Sequence, residues 1–248
     1  MSSTLWNQYA VLGYDALRAL IPYTELQQAV VAAAALLPGE RLLVAGCGTG
    51  NLEWLAARQA PEARIDAVDI SPAMLARARA KCADFPRVRH FQADICRSLP
   101  LPTASEDVAV MCNVFYTLSD QTAALREIHR VLRPGGRFVL CDRQPWSTMR
   151  PIVRAHVRAL RALTPAARMG GWWRTLAAVP RLALVAAVNL GIQRRHRRGE
   201  YRYLSVDEAT TMLTRAGFAV REVQSAYAEQ CWLLRAVRGS APEERPPT

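Results

Sequence analysis

The chain has 248 residues, 51% hydrophobic and 21% charged, which suits one α/β domain of ordinary size and excludes a disordered or low-complexity chain. Six cysteines with no C-x-x-C pair argue against a zinc ribbon or a disulfide framework, so no metal is expected and the thiols read as reduced and structural. A formal net charge of +11 brings nucleic acid and anionic membrane into consideration. Met1 to Tyr14 shows no basic region followed by an apolar run, and Pro180 and Arg181 interrupt the longest apolar stretch, Thr175 to Ile192. The expectation is a cytoplasmic protein, at most peripheral at a membrane.

Thr24 to Leu37 is Ala-rich and apolar and stops at Pro38-Gly39, which predicts a helix. Arg41 to Ala45 is a buried-strand candidate, followed by a glycine turn and a helix over Leu52 to Arg58. Ile65 to Val68 predicts a second strand. Ser71-Pro72 supplies an N-cap and a first-turn proline for a helix reaching about Cys82. Val88 to Gln92 and Asp107 to Cys112 are the third and fourth strands. Gln121 to Leu132 is an amphipathic helix halted by Pro134-Gly135-Gly136, and Arg137 to Cys141 is the fifth strand. This alternation, with nearly continuous apolar strands, predicts a doubly wound parallel sheet whose ligand sits beyond the C-terminal strand ends. A capped helix over Ser205 to Ala216 precedes two strands, Phe218 to Val223 and Gln230 to Val237. Their link is too short for a parallel crossover, so they pair antiparallel.

The domain reading is a helical cap at 1–37, a cofactor-binding core at 38–142, a basic helical lid at 143–204, a completing helix and strand pair at 205–238, and a disordered tail at 239–248.

Gly46-Cys47-Gly48-Thr49-Gly50 follows a strand and opens a helix, where glycines let the backbone approach a ligand and free N–H groups face it. A nicotinamide fingerprint needs a third glycine three residues after Gly48, and Asn51 stands there instead. Asp69 ends the second strand, where a carboxylate can accept from both ribose hydroxyls. Asp94-Ile95 follows the third strand, where an acid can accept from an adenine amino group, and Asn113 follows the fourth.

With these residues in order, the runs VAGCGTGN, AVDISPAMLARAR, QADI and REIHRVLRPGGRFVL resemble the motifs of class I S-adenosylmethionine-dependent methyltransferases. The resemblance spans about Leu36 to Cys141 and resumes in SVDEATTMLTRAGFAVREV. It is closest to the branch that methylates quinones, sterols and secondary metabolites. It implies a Rossmann-like seven-stranded sheet with the last strand antiparallel. It also implies S-adenosylmethionine as cofactor, with Gly46, Gly48 and Gly50 at the methionine part, Asp69 at the ribose, Asp94 at the adenine, and Met74 and Ile95 on the adenine faces. Cys47, Ile70 and Asn113 flank these positions. Where the family carries an acid two residues before the first glycine, this chain has Val44.

Methyl transfer from a sulfonium is an in-line displacement that needs alignment and exclusion of water more than a dedicated catalytic residue. For an acceptor that needs deprotonation, Asp142, at the ligand end of the fifth strand, and His156 are the candidate bases, although a lone His on a basic amphipathic stretch is more often a surface residue. Tyr9, Tyr14, Tyr23 and Tyr116 are candidates to line the acceptor pocket, with ordinary core packing as the competing role.

The charge is localised. Thirteen arginines and one acid, Glu200, lie between Arg143 and Tyr203, a balance of +12, so the remainder is close to neutral. Met149, Ile152, Val153, Val157, Leu160 and Leu163 recur at helical spacing, with Arg150, Arg154, Arg158 and Arg161 on another side. Apolar faces, Trp172-Trp173 and arginine clusters suit a lid over a small or lipid-like acceptor, and contact with an anionic membrane. A nucleic-acid partner is not expected: there is no appended RNA-binding module, no N/D-P-P-Y run and no Pro-Cys nucleophile pair. Intramolecular cyclisation of the cofactor, or cofactor binding without turnover, are the alternative functions.

Overall fold

The computed structural model describes residues 6–7 and 13–239. A 3-10 helix over Tyr14–Ala19 leads into α1, Ile21–Ala34. Then come β1 (Arg41–Ala45), α2 (Asn51–Gln59), β2 (Arg64–Asp69), α3 (Pro72–Lys81), β3 (Val88–Gln92) and β4 (Glu106–Cys112). They are followed by α4 (Gln121–Val131), β5 (Leu132–Arg143), α5 (Met149–Ala162), α6 (Pro165–Arg197), α7 (Val206–Arg215), β6 (Phe218–Ala226) and β7 (Cys231–Arg238).

The strands form one sheet in the order β3-β2-β1-β4-β5-β7-β6. β1 runs parallel to β2 and β4, and only β7 is antiparallel to its neighbours β5 and β6. Alternation along β1 shows why the sheet is covered twice. Leu42 and Val44 face Leu26, Leu52 and Leu75 of α1, α2 and α3, whereas Leu43 and Ala45 face the layer of α4 and α7 with Leu125, Ile128 and Leu213. Strand order reverses between β1 and β4, which opens a crevice above their C-terminal ends.

The local signals act as expected at α3 and α7. The Ser71 hydroxyl accepts from Met74 N at 3.1 Å, and Ser205 with Glu208 closes a reciprocal capping box. β5 starts earlier than its apolar run: Leu132 already pairs with Glu106, and a register shift between Glu106 and Val108 takes up Pro134-Gly135-Gly136. Val153, read as part of the apolar face of α5, is instead 49% exposed.

The lid departs most from the sequence reading. Pro180 does not interrupt it, because α6 runs unbroken through that residue for 33 residues. Proline removes one backbone hydrogen bond and bends a helix, and here the flanking turns continue it. The helix is long and apolar enough to cross a membrane by length and composition, with a mean hydropathy of 1.7 over its most apolar window. Gly171, Ala178, Val185 and Ile192 form its buried stripe, laid over the Tyr14–Ala19 turn and α5.

Candidate functional site

The glycine turn after β1 is shaped by close approaches. A Cβ at Gly46 would lie 2.4 Å from Val114 Cγ2, and one at Gly50 2.8 Å from the Ala78 Cα, with φ of +77 and +87. Gly48 differs: a Cβ there would meet nothing within 4 Å, so its outer side is open space. The Gly48 N–H donates to Asp69 Oδ2 at 2.9 Å, and the Ser71 N–H to Oδ1 at 2.8 Å. Each carboxylate oxygen thus holds one backbone donor and keeps a lone pair for a ligand. Burial raises the Asp69 pKa, against the lowering effect of those two donors.

Sequence reasoning missed what holds this turn from behind. Asp15 Oδ1 accepts from the Thr49 hydroxyl at 2.6 Å and from Lys81 Nζ at 2.8 Å, while Lys81 also donates to Asn51 Oδ1 at 2.6 Å. Burial raises and these donors lower the Asp15 pKa, the net direction being down. Val44 is 1% exposed and packs in the core beside Leu52 and Val110. A second carboxylate besides Asp69 thus reaches the glycine turn, that of Asp15 on the N-terminal 3-10 helix. A signal for half of this existed, since Lys81 is the chain's one lysine. Asp15 carried none. Further behind the turn, Glu53 faces His90 Nε2 at 3.4 Å with Cys82 beside them, a buried cluster outside the cavity described next.

A large cavity sits over the crevice, with an empty volume of about 1210 Å3 that includes the open solvent at its mouth. Gly46, Cys47, Gly48, Asp69, Ile70, Met74, Asp94, Ile95 and Asn113 all line it, whereas Gly50 lies behind the turn against α3. Asn113 adopts a left-handed φ of +56 at the end of β4. Asp94 Oδ1 accepts from the Cys96 N–H at 3.0 Å, fixing its carboxylate at the rim. Burial drives the Cys47 thiol pKa well up, so it contributes surface and not a nucleophile.

Tyr14, Tyr23 and Tyr116 line the cavity too, together with Met149 and Ile152 of α5, Asn189 of α6, Trp6 and Tyr227. Tyr9 lies outside the described residues. Tyr23 accepts from Asn51 Nδ2 at 3.2 Å, and Tyr116 stacks on Tyr203 with ring centroids 4.6 Å apart. These aromatics come from four separated segments, which is why only part of the set was recognisable as one wall.

Neither candidate base lines the cavity. Asp142 is 2% exposed, and its oxygens accept the N–H groups of Tyr116, at 2.6 Å, and Arg143, at 2.9 Å. Burial pushes its pKa up to about 7. His156 is buried, not on the surface: Nδ1 accepts from the Ile21 N–H at 3.1 Å and Nε2 meets the Thr175 hydroxyl at 3.0 Å, tying α5 to α1 and α6. The side chain next to Asp142 does reach the cavity. Arg143 forms no ion pair with an acid among the described residues, and its Nε donates to Ser147 Oγ at 3.1 Å.

Comparison with known proteins matches residues 42–136 to a methyltransferase domain family. The chain is 37% identical over 107 residues to the demethylmenaquinone methyltransferase of Thermus thermophilus, covering 43% of this chain and 48% of that protein. It spans about half or less of the length of the curated relatives it matches. Among solved structures it resembles a SAM-dependent methyltransferase from Aquifex aeolicus, with TM-score 0.60, 17% identity and coverage of 90% and 92% of the two chains. It also resembles the cyclase SpnF, with TM-score 0.61, 19% identity and coverage of 87% and 81%. These two likenesses are of fold alone, and the second shows that one architecture hosts more than one reaction. Strand order, the ordered glycine and acid motifs and the domain match agree: residues 42–136 match a methyltransferase domain family, and the chain is similar to class I S-adenosylmethionine-dependent methyltransferases.

Proposed function

We propose that this chain transfers a methyl group from S-adenosylmethionine to a small, largely apolar, lipid-like acceptor. The observation that carries this reading is one cavity lined both by Gly48, Asp69 and Asp94 and by Tyr23, Tyr116 and Ile152. The name of the Thermus thermophilus relative supports a quinone-like acceptor class.

In this reading Asp69 holds the ribose hydroxyls, Asp94 with Met74 and Ile95 holds the adenine, and the open side of Gly48 receives the methionine part. Gly46, Cys47, Ile70 and Asn113 shape the walls between them, and Gly50 sets the turn. The cofactor, when bound, supplies an electrophilic methyl group. The chain aligns the acceptor against it and excludes water with α5, α6 and the aromatic wall. Asp142 and His156 already hold structural hydrogen bonds, so the reading relies on positioning and assigns no general base to them. Arg143 favours an acceptor oxygen that carries or develops negative charge, such as an enol or phenol, because it lines the cavity and forms no ion pair with an acid among the described residues.

Incubation with S-adenosylmethionine and a panel of quinols and phenols, read by mass spectrometry, tests this. Methylated acceptor with stoichiometric S-adenosylhomocysteine is expected. Methylthioadenosine would instead indicate cyclisation of the cofactor, and binding without turnover a non-catalytic partner.

A further inference from the structure

We propose that the outer face of α6 docks on the surface of an anionic lipid bilayer, with the helix lying in the membrane plane. The helix has two apolar faces. The inner one is the stripe at seven-residue spacing already described, and it is occupied by the protein's own core. The outer one carries Met169, Trp173, Leu176, Val179, Leu184 and Leu190, which are between 43% and 67% exposed. At about 100° per residue these six fall within an arc of roughly 140°, opposite the buried stripe.

A lid facing only water would be polar on that side. Here no acid occurs between Met169 and Leu190, and the two arginines in that stretch, Arg174 and Arg181, fall outside the arc. Only 17% of the most apolar window is buried, so α6 is not an ordinary core helix either. A continuous exposed apolar surface of this kind marks an interaction site.

Charge identifies the occupant. Arg168 and Arg194 flank the apolar arc, Arg197 follows, and Arg150, Arg154, Arg158 and Arg161 project from α5. None of these pairs with an acid among the described residues. Glu200, the one acid from 143 to 203, is already engaged by Arg195 and Arg198. An apolar stripe with a tryptophan, bordered by uncompensated arginines, matches acyl chains edged by anionic headgroups. The inner stripe stays packed on Leu17, Leu20 and Ile152, which excludes lipid all round and with it a spanning orientation. Asn189 on the inner side lines the cavity, so one helix touches both bilayer and cavity. The docking itself does not depend on the proposed reaction.

Flotation of the full chain with phosphatidylcholine vesicles, alone or mixed with phosphatidylglycerol, tests this without cofactor or acceptor. Binding to the mixed vesicles only, weakened by salt and with blue-shifted tryptophan emission, is expected. The double variant Trp173→Glu/Leu176→Glu lowers that partition by roughly tenfold or more. Its melting temperature and S-adenosylhomocysteine binding stay unchanged, since both side chains are exposed. Absence of binding by the wild type, or equal binding by the variant, overturns the proposal. So does retention in the membrane after alkaline carbonate, which indicates a span, or a dimer that the double variant dissociates, which indicates a second copy on this face. Failure of any of these kinds leaves the methyl-transfer reading standing.

Discussion

Asp69→Asn exchanges one carboxylate oxygen for an amide of nearly the same size and separates charge from shape. In the native protein the two oxygens accept different N–H groups, from Gly48 and Ser71. The amide offers one oxygen, so one of those donors faces an NH2 group, at a cost of about 1–3 kcal/mol. Burial has raised the Asp69 pKa, so the neutral side chain also relieves a desolvated charge and offsets part of that loss. Ligand binding has no such offset. Each ribose hydroxyl donating to a carboxylate loses roughly 1–2 kcal/mol when the acceptor becomes neutral, and two hydroxyls lose about 2–4 kcal/mol. At about 1.4 kcal/mol per tenfold, S-adenosylhomocysteine binding weakens roughly 30- to 700-fold. Calorimetric titration gives the affinity, and a melt without ligand gives the stability. A large loss of affinity with a melting temperature within a few degrees is the expected pair. An affinity within threefold of wild type would refute the placement of the ribose at Asp69.

Three further substitutions test the frame around the site. Gly50→Ala forces a non-glycine residue to φ +87 against the Ala78 backbone; strain of ~1–2 kcal/mol plus overpacking of ~1–3 kcal/mol predicts a melting temperature at least about 5 °C lower. Lys81→Met removes the ammonium that joins Asp15, Thr49 and Asn51; thermal melting should show a loss of about 1–2 kcal/mol, and titration a weaker S-adenosylhomocysteine affinity through the loosened turn. Asp142→Asn tests a pH dependence. With a folded pKa of about 7 against 3.8, the folded state keeps a proton that the unfolded chain releases. Its stabilising contribution is full below about pH 4 and is lost as pH rises through 7. Urea titrations from pH 4 to 8 should show that decline flattened in the variant, and a slope equal to wild type would refute the assignment.

The parts of the fold that read directly from the sequence are those where local and tertiary preferences agree. Arg41–Ala45 is a strand because all five residues suit a sheet covered on both sides, and Ser71-Pro72 starts α3 because cap and first-turn proline coincide. The proposed cofactor residues follow the same logic: Gly46, Gly48, Asp69 and Asp94 belong to contiguous strand-turn-helix units, and all four line one cavity. Asp15 was not legible. Its role depends on the N-terminal 3-10 helix folding back onto the turn, a contact that no local pattern announces. Pro180 misled because a proline rule is local, whereas the continuity of α6 is maintained by turns on both sides and by packing of Ala178 and Val185.

Asp142 and Arg143 show why the reacting end resists the same reading. They are neighbours at the end of β5, and strand alternation sends one side chain inward and the other to the cavity. The inward carboxylate accepts the Tyr116 N–H and so fixes the turn that carries Tyr116, while Arg143 beside it lines the cavity and its Nε donates to Ser147 Oγ. A carboxylate at the ligand end of a strand reads as a base only while its hydrogen bonds are unknown. Buried away from the cavity and holding the N–H groups of Tyr116 and Arg143, it becomes the support for its neighbours. In the proposed methyl transfer the electrostatic requirement falls on the acceptor oxygen, and Arg143, lining the cavity with the aromatic side chains, would meet it without any proton being taken by the protein.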